Sequence, residues 1–136
     1  MDKTILKLKS GTDIRGVALE GEPNQPVQLT DDVVYGITRA FAKWLSEKCG
    51  SRSLTVAVGR DCRLSGERIE GKVVAALADS GFAVVRCGLC TTPAMFMTTV
   101  LKNCDASVSI TASHHPYNRN GLKFFTRDGG LEGSDI

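Results

Sequence analysis

Apolar residues recur at helical spacing in two long stretches and gather into short runs elsewhere, and this alternation sets the architecture of the chain. Val34, Ile37, Phe41, Trp44 and Leu45 fall three or four positions apart, the period of one helix face. Thr30, Asp31 and Asp32 stand just before them. A hydroxyl there caps free N–H groups, and carboxylates meet the positive end of the helix dipole. Lys48 and Gly50 supply the stop. A second helix is predicted over residues 66–80, with Ile69, Val73, Val74, Leu77 and Ala78 as its stripe and Gly81 as its end. After a turn from Gly88 to Pro93, Met95, Phe96, Thr99, Val100 and Leu101 predict a third, shorter helix.

The runs between the helices are short, apolar and rich in β-branched residues. Leu54 to Val58, Phe82 to Cys87, Ala106 to Ile110 and Leu122 to Thr126 read as strands, and Asp13 to Leu19 as another. Residues 1–9 form a polar lead-in, and Gly21, Pro23 and Pro26 mark residues 20–29 as a loop. Arg127 to Gly130 reads as a turn. Strands alternating with helices, joined by crossovers long enough for parallel pairing, predict an α/β fold. The expected form is a three-layer α/β/α domain with a mixed, mostly parallel sheet, the short return from Ile110 to Leu122 supplying an antiparallel neighbour. The 136 residues fit one domain, residues 1–136, with a single core.

Charge narrows the classes further. Seventeen basic and 15 acidic residues leave a formal charge of +2, with no Lys/Arg cluster and no basic–aromatic interleaving, which argues against nucleic acid. No apolar run approaches the roughly 20 residues of a membrane span. The opening residues lack the apolar h-region of a signal peptide, so a cytoplasmic location is expected. Five cysteines at 49, 62, 87, 90 and 104 make no disulfide framework. Cys87-Gly88-Leu89-Cys90 is a C-x-x-C, but zinc needs two more ligands and no second such pair exists. A thioredoxin-like site would put the pair at a helix start. These thiols are expected to be buried or in loops, in a reducing compartment.

Chemistry concentrates between the last two apolar runs, in Thr111-Ala112-Ser113-His114-His115-Pro116-Tyr117-Asn118-Arg119-Asn120-Gly121-Leu122-Lys123. A serine beside histidine, with a lysine following, is a candidate activated nucleophile on a loop held by a sheet. Taken singly, each residue has a plainer reading. Ser113 is a turn residue, the histidines are solvated, Lys123 is a solubilising strand residue and Arg15 a surface ion-pair partner. Gly59 to Gly66 lacks the Gly-Lys-Ser/Thr ending of a nucleotide loop. Gly129, Gly130 and Gly133 open no helix, which disfavours a dinucleotide fingerprint.

Three stretches in order change that balance: Ser10-Gly11-Thr12-Asp13-Ile14-Arg15-Gly16, Gly59-Arg60-Asp61-Cys62-Arg63-Leu64-Ser65-Gly66, and the Ser113 loop. Together they resemble the first domain of the alpha-D-phosphohexomutases, the phosphoglucomutase and phosphomannomutase family. The loop is similar to that family's Thr/Ser-Ala-Ser-His-Asn-Pro followed by Asn-Gly-x-Lys, with His115 where Asn is commonest. The resemblance implies that Ser113 is carried as a phosphoserine. It hands its phosphoryl group to a glucose or mannose phosphate and recovers the other one from a hexose 1,6-bisphosphate intermediate. Arg15 is implied near the reacting phosphate. Lys123 is the candidate for proton transfer with the sugar hydroxyl, and His114 for a bond to a phosphate oxygen or for steadying the loop. Asn118, Arg119 and Asn120 are expected to shape the loop through side-chain to backbone bonds.

The family binds Mg2+ through an oxygen of the phosphoserine, here Ser113, and through aspartates of a following domain. No Asp-x-Asp pair occurs in this sequence. The expectation is therefore a first domain out of four. Its partners would be a hexose phosphate and the remaining domains of the same enzyme, and it would be inactive alone. The alternative expectation is a non-catalytic module that binds phosphate or another protein.

Overall fold

The computed structural model describes residues 3–136, with side chains from Ile5 onward. The elements in order are α1 (Lys3–Leu6), β1 (Lys9–Ser10), β2 (Asp13–Val17), α2 (Asp31–Cys49), β3 (Thr55–Arg60), α3 (Gly66–Ala78), β4 (Ala83–Leu89), α4 (Thr92–Leu101), β5 (Ala106–Ile110), β6 (Arg119–Thr126) and β7 (Gly129–Gly130). The strands form one sheet in the order β1-β2-β6-β5-β3-β4, with β7 paired to β6. The mixed sheet and three-layer α/β form match the alternation read from the sequence. Parallel pairing is confined to β4-β3-β5, and the ladders of β1, β2, β6 and β7 are antiparallel. The antiparallel share is thus larger than expected, because β6 returns beside β5 and then recruits the N-terminal strands.

Successive residues of a strand face opposite sides, and the layers follow from that rule. Val56 and Val58 of β3, Val108 and Ile110 of β5, and Leu122 and Phe124 of β6 join the main core. The stripe Val34, Ile37, Phe41 and Leu45 of α2 meets them with Ile69, Val73 and Leu77 of α3. Phe41 stacks on Phe124 with ring centroids 4.4 Å apart. On the other face Ala57 packs with Met95 of α4 and Cys104. The hydroxyls of Thr99 and Ser107 meet there at 2.6 Å, which satisfies two buried polar groups at once.

The predicted caps of α2 form: Thr30 Oγ1 accepts from Val33 N–H, and Gly50 closes the helix in the left-handed conformation. Boundaries differ elsewhere for local reasons. Helix α4 starts at Thr92, earlier than its apolar residues indicate, because the Thr91 hydroxyl caps it and Pro93 fits its first turn. Strand β4 runs past Cys87 to Leu89 by way of a bulge; Val58 faces Arg86 and Gly59 faces Gly88, leaving Cys87 as the extra residue. Part of the polar lead-in is ordered as α1 and β1, while residues 1–2 of that stretch lie outside the described residues. The turn after β6 narrows to Arg127-Asp128, since Gly129 and Gly130 pair as β7.

The largest difference lies at the site. Strand β2 stops at Val17 rather than Leu19, and β6 begins at Arg119 rather than Leu122. Arg119, Asn120 and Gly121 are ladder residues facing Val17, Gly16 and Arg15. Their polarity and the glycine read as loop, but the β2 ladder claims them.

Candidate active site

Strands β3 and β5 run parallel, so the loops that leave their carboxyl ends lie side by side. In open α/β sheets that edge is where ligands are received. The two loops are bonded from their first residues: Asp61 N–H donates to Ile110 O at 3.0 Å, and Thr111 Oγ1 donates to Asp61 Oδ2 at 2.7 Å. Thr111 Oγ1 in turn accepts from Ser113 N–H at 3.0 Å. Ser113 is exposed and takes a positive φ of 56°, a strained conformation for a residue with a side chain.

Arg63 lies beneath this loop with its side chain 12% exposed. Its Nη1 donates to Pro116 O at 2.7 Å and Arg119 O at 2.9 Å. Its Nη2 donates to Ser113 O at 3.0 Å and His115 O at 2.7 Å. Nε lies 3.3 Å from Asp61 Oδ2. Neither Asp61 nor Arg63 has a role among the sequence-based expectations; the available signal was an Asp-x-Arg pair directly after a strand.

Arg15 and Lys123 meet on Asp13. Register places Asp13 opposite Lys123 and Arg15 opposite Gly121 on adjacent strands. Lys123 Nζ donates to Asp13 Oδ1 at 2.9 Å, and Arg15 Nη2 donates to Oδ2 at 2.8 Å. Asp13 is 5% exposed, so its charge is compensated by both cations rather than by water. The sequence held the clue: Asp13 and Arg15 are two apart on a strand and so share a face. Lys123 also stands opposite Ser109 of β5, whose hydroxyl is 3.3 Å from that of Thr92 at the start of α4. A polar row thus crosses the sheet beside the serine loop.

The link between this row and the loop is Gly121. A Cβ there would sit 2.5 Å from Ile14 O, 2.9 Å from Thr111 O and 3.0 Å from Arg15 Cγ. Absence of a side chain lets the Arg15 stem lie against the root of the serine loop.

The two histidines part company. His114 is exposed, whereas His115 is half-buried with its ring centroid 5.1 Å from that of His114. Burial lowers the His115 pKa below its ordinary value, and the charges of Arg15, Arg119, His114 and Arg63 push in the same direction. His115, not singled out from the sequence, is therefore the imidazole set among the site's arginines. Arg15 Nε and Arg119 Nε are buried without a hydrogen-bond partner, two donors on the cationic side of the site.

Asn118 and Asn120 are buried and sit in different surroundings. Asn118 Nδ2 donates to Gln25 Oε1 at 3.0 Å, and its backbone carbonyl accepts from Ala18 N–H and Leu19 N–H. Asn120 Nδ2 donates to Ser65 Oγ at 2.9 Å, and its Oδ1 accepts from Gly121 N–H. Asn120 therefore ties β6 to the start of α3. Of the two asparagines, it alone makes a side-chain to backbone bond, and that bond lies within a strand.

No three His, Cys, Asp or Glu side chains converge to hold a metal among the described residues. Asp13 is engaged by Arg15 and Lys123, and Asp61 by Arg63 and Thr111. These side chains by themselves do not fit a Mg2+ site. The Cys87 thiol is half-buried, and burial raises its pKa, the opposite of an activated C-x-x-C at a helix start. Among the described residues no helix is long and apolar enough to cross a membrane.

The fold, the loop at the β5 edge and the polar row beside it define an α/β domain with a candidate site at the edge of its sheet, and comparison with known proteins makes the class definite. Residues 7–135 match the family described as phosphoglucomutase/phosphomannomutase, alpha/beta/alpha domain I, and the chain belongs to that family. It is 40% identical over 120 residues to a phosphoglucosamine mutase of Macrococcus caseolyticus, and 41% identical over 120 residues to one of Bacillus cereus. Each match covers 88% of this chain and 25% of the relative, so the chain spans about a quarter of their length. A phosphoglucomutase/phosphomannomutase family protein of Burkholderia thailandensis superposes with a TM-score of 0.72 at 29% identity, over all of this chain and 28% of that one. A structure from Thermus thermophilus, 24% identical, has the same fold with a TM-score of 0.79 over 94% of this chain and 28% of that one.

Proposed function

We propose that this chain is the phosphoserine-loop domain of a phosphohexomutase, in which Ser113 carries the phosphoryl group exchanged between the 1 and 6 positions of a hexose phosphate. The observation that supports this reading is Ser113 itself. It is exposed just past the carboxyl end of β5, its N–H and C=O are both tied down, and the Arg15 stem lies against the root of its loop at Gly121. Phosphoryl transfer is mainly positioning and charge stabilisation, and these features serve both.

In the proposed cycle the bond from Ser113 Oγ to phosphorus breaks as a bond from a sugar hydroxyl oxygen forms. The sugar hydroxyl gives its proton to the Lys123–Asp13 pair, and the pair passes that proton to the released serine oxygen, so the transfer is proton-neutral. The hexose bisphosphate then turns over and returns its other phosphoryl group to Ser113 by the reverse transfer. Arg15, with its forked guanidinium, and Arg119 hold the phosphate oxygens. His114 stands outward on the loop, where it can donate to the same phosphate. Mg2+, when present in such enzymes, supplies charge neutralisation, and a phosphoryl group on Ser113 is the ligand this chain would contribute.

The family description and the relatives that are phosphoglucosamine mutases make glucose, mannose and glucosamine phosphates the candidate substrates. The remaining domains would be its partners, and the domain alone would be inactive. Five free thiols suit the reducing cytoplasm that this reading assumes.

Intact-mass analysis tests the reading on this chain and on the full-length protein that carries it. An increment of about 80 Da mapping to Ser113, the mass of one phosphoryl group, is expected. In the full-length protein Ser113→Ala abolishes both that increment and mutase turnover. Undiminished turnover in the variant would reject the proposal.

A further inference from the structure

We propose that Arg63 is a positioning residue that folds the serine loop around its guanidinium and so fixes the direction of the Ser113 hydroxyl. This rests on the reading of Ser113 as the phosphoryl carrier. Loops ordinarily leave their carbonyls to solvent. Here four carbonyls within seven residues, those of Ser113, His115, Pro116 and Arg119, converge on one cation at 2.7–3.0 Å.

Both ends of residue 113 lead back to the Asp61–Arg63 pair, one directly and the other through Thr111. Its carbonyl accepts from Arg63 Nη2, and its N–H donates to Thr111 Oγ1, which donates to Asp61 Oδ2. Asp61 also lies 3.3 Å from Arg63 Nε and accepts from Arg63 N–H at 3.1 Å. The pair is thus closed on itself and anchored at the end of β3. A residue with φ of 56° keeps that conformation only where its surroundings over-determine it, and this is the surrounding that does so.

Peptide geometry adds a consequence. The described peptide bonds are trans, so C=O and N–H of one unit point to opposite sides. With Ser113 O turned in toward Arg63, the N–H of His114 is turned away from it, on the outer side of the loop. Backbone donors aimed at developing charge are effective stabilisers of phosphoryl oxygens. Both N–H bonds on each terminal nitrogen of Arg63 are spent on carbonyls, so its guanidinium is committed to the loop rather than to substrate. Lysine cannot replace it, because one ammonium does not span a fork of four acceptors.

The test uses the full-length enzyme that carries this domain, with Arg63→Lys, Thr111→Val and Ser113→Ala. Arg63→Lys is expected to lower kcat roughly a hundredfold, the scale of a 1 Å misplacement of a reacting group, with KM within about threefold of wild type. Single-turnover phosphorylation of Ser113 by a hexose bisphosphate slows in parallel. Thr111→Val removes the hydroxyl that bonds both Asp61 and Ser113 N–H, and lowers kcat about tenfold, with a fall in Tm of a few degrees that leaves the protein folded in the assay. It keeps the proposal testable if the lysine variant fails to fold. Wild-type kcat in either folded variant, or a raised KM with kcat intact, overturns the positioning role. Full activity of Ser113→Ala would instead remove the phosphoserine reading beneath it.

Discussion

Replacing Gly121 by Ala inserts one methyl group where three features meet: the β2–β6 ladder, the Arg15 stem and the root of the serine loop. The added Cβ would stand 2.5 Å from Ile14 O and 2.9 Å from Thr111 O, both backbone atoms that no rotamer change can remove. Ordinary contact lies near 3.5 Å, so β2 and the loop must each yield by roughly half an ångström or more. Overpacking of this kind costs about 1–3 kcal/mol. The bond from Thr111 N–H to Gly121 O, 3.1 Å long, lies in the path of that movement, and its loss adds about 1 kcal/mol. A destabilisation of about 3 kcal/mol follows, which for a domain of this size lowers Tm by roughly 10 °C. Urea unfolding followed by circular dichroism measures it directly, with the slope of the transition unchanged. A Gly121→Ala protein within about 0.5 kcal/mol of wild type would refute the claim that this close approach is rigid.

Two further outcomes are expected. The pKa of His115 is lowered on folding, first by burial and then by the charges of Arg15, Arg119, His114 and Arg63. Between the lowered folded value and the unfolded value near 6.5, the unfolded chain therefore binds more protons. The corresponding stability is present above about pH 6.5 and is lost as pH falls through the folded value. Urea midpoints between about pH 7.5 and 5 should fall less for His115→Asn than for wild type; equal slopes would contradict the assignment. Gly71 is exposed inside α3 with no atom within 4 Å of where its Cβ would be. Gly71→Ala should add about 0.5–1 kcal/mol through helix propensity, seen as a rise in Tm of a few degrees, whereas an unchanged or lower Tm would count against open space at that position.

Where periodicity and caps acted locally, reading the chain went furthest. The apolar stripe of α2, its Thr30 cap and its Gly50 stop concern residues within a few positions of one another, so spacing alone was enough. The same holds for the apolar runs of β3 and β5. Strand β6 shows the limit. Arg119, Asn120 and Gly121 have loop chemistry, yet pairing with β2, over a hundred residues earlier, makes them strand. Propensity is a weak guide where a partner strand supplies the hydrogen bonds.

The chain's own order of residues determined the layered α/β architecture, the nucleophile candidate and the cations Arg15 and Lys123. Tertiary structure alone decided what each of them touches. Asp13 became the shared partner of Arg15 and Lys123 because antiparallel register sets residues 13 and 123 side by side. Arg63 became the centre of the serine loop because two parallel strands end at the same edge of the sheet. A residue type announces which bonds it can make; only the folded chain brings a donor from one loop to four acceptors some fifty residues away.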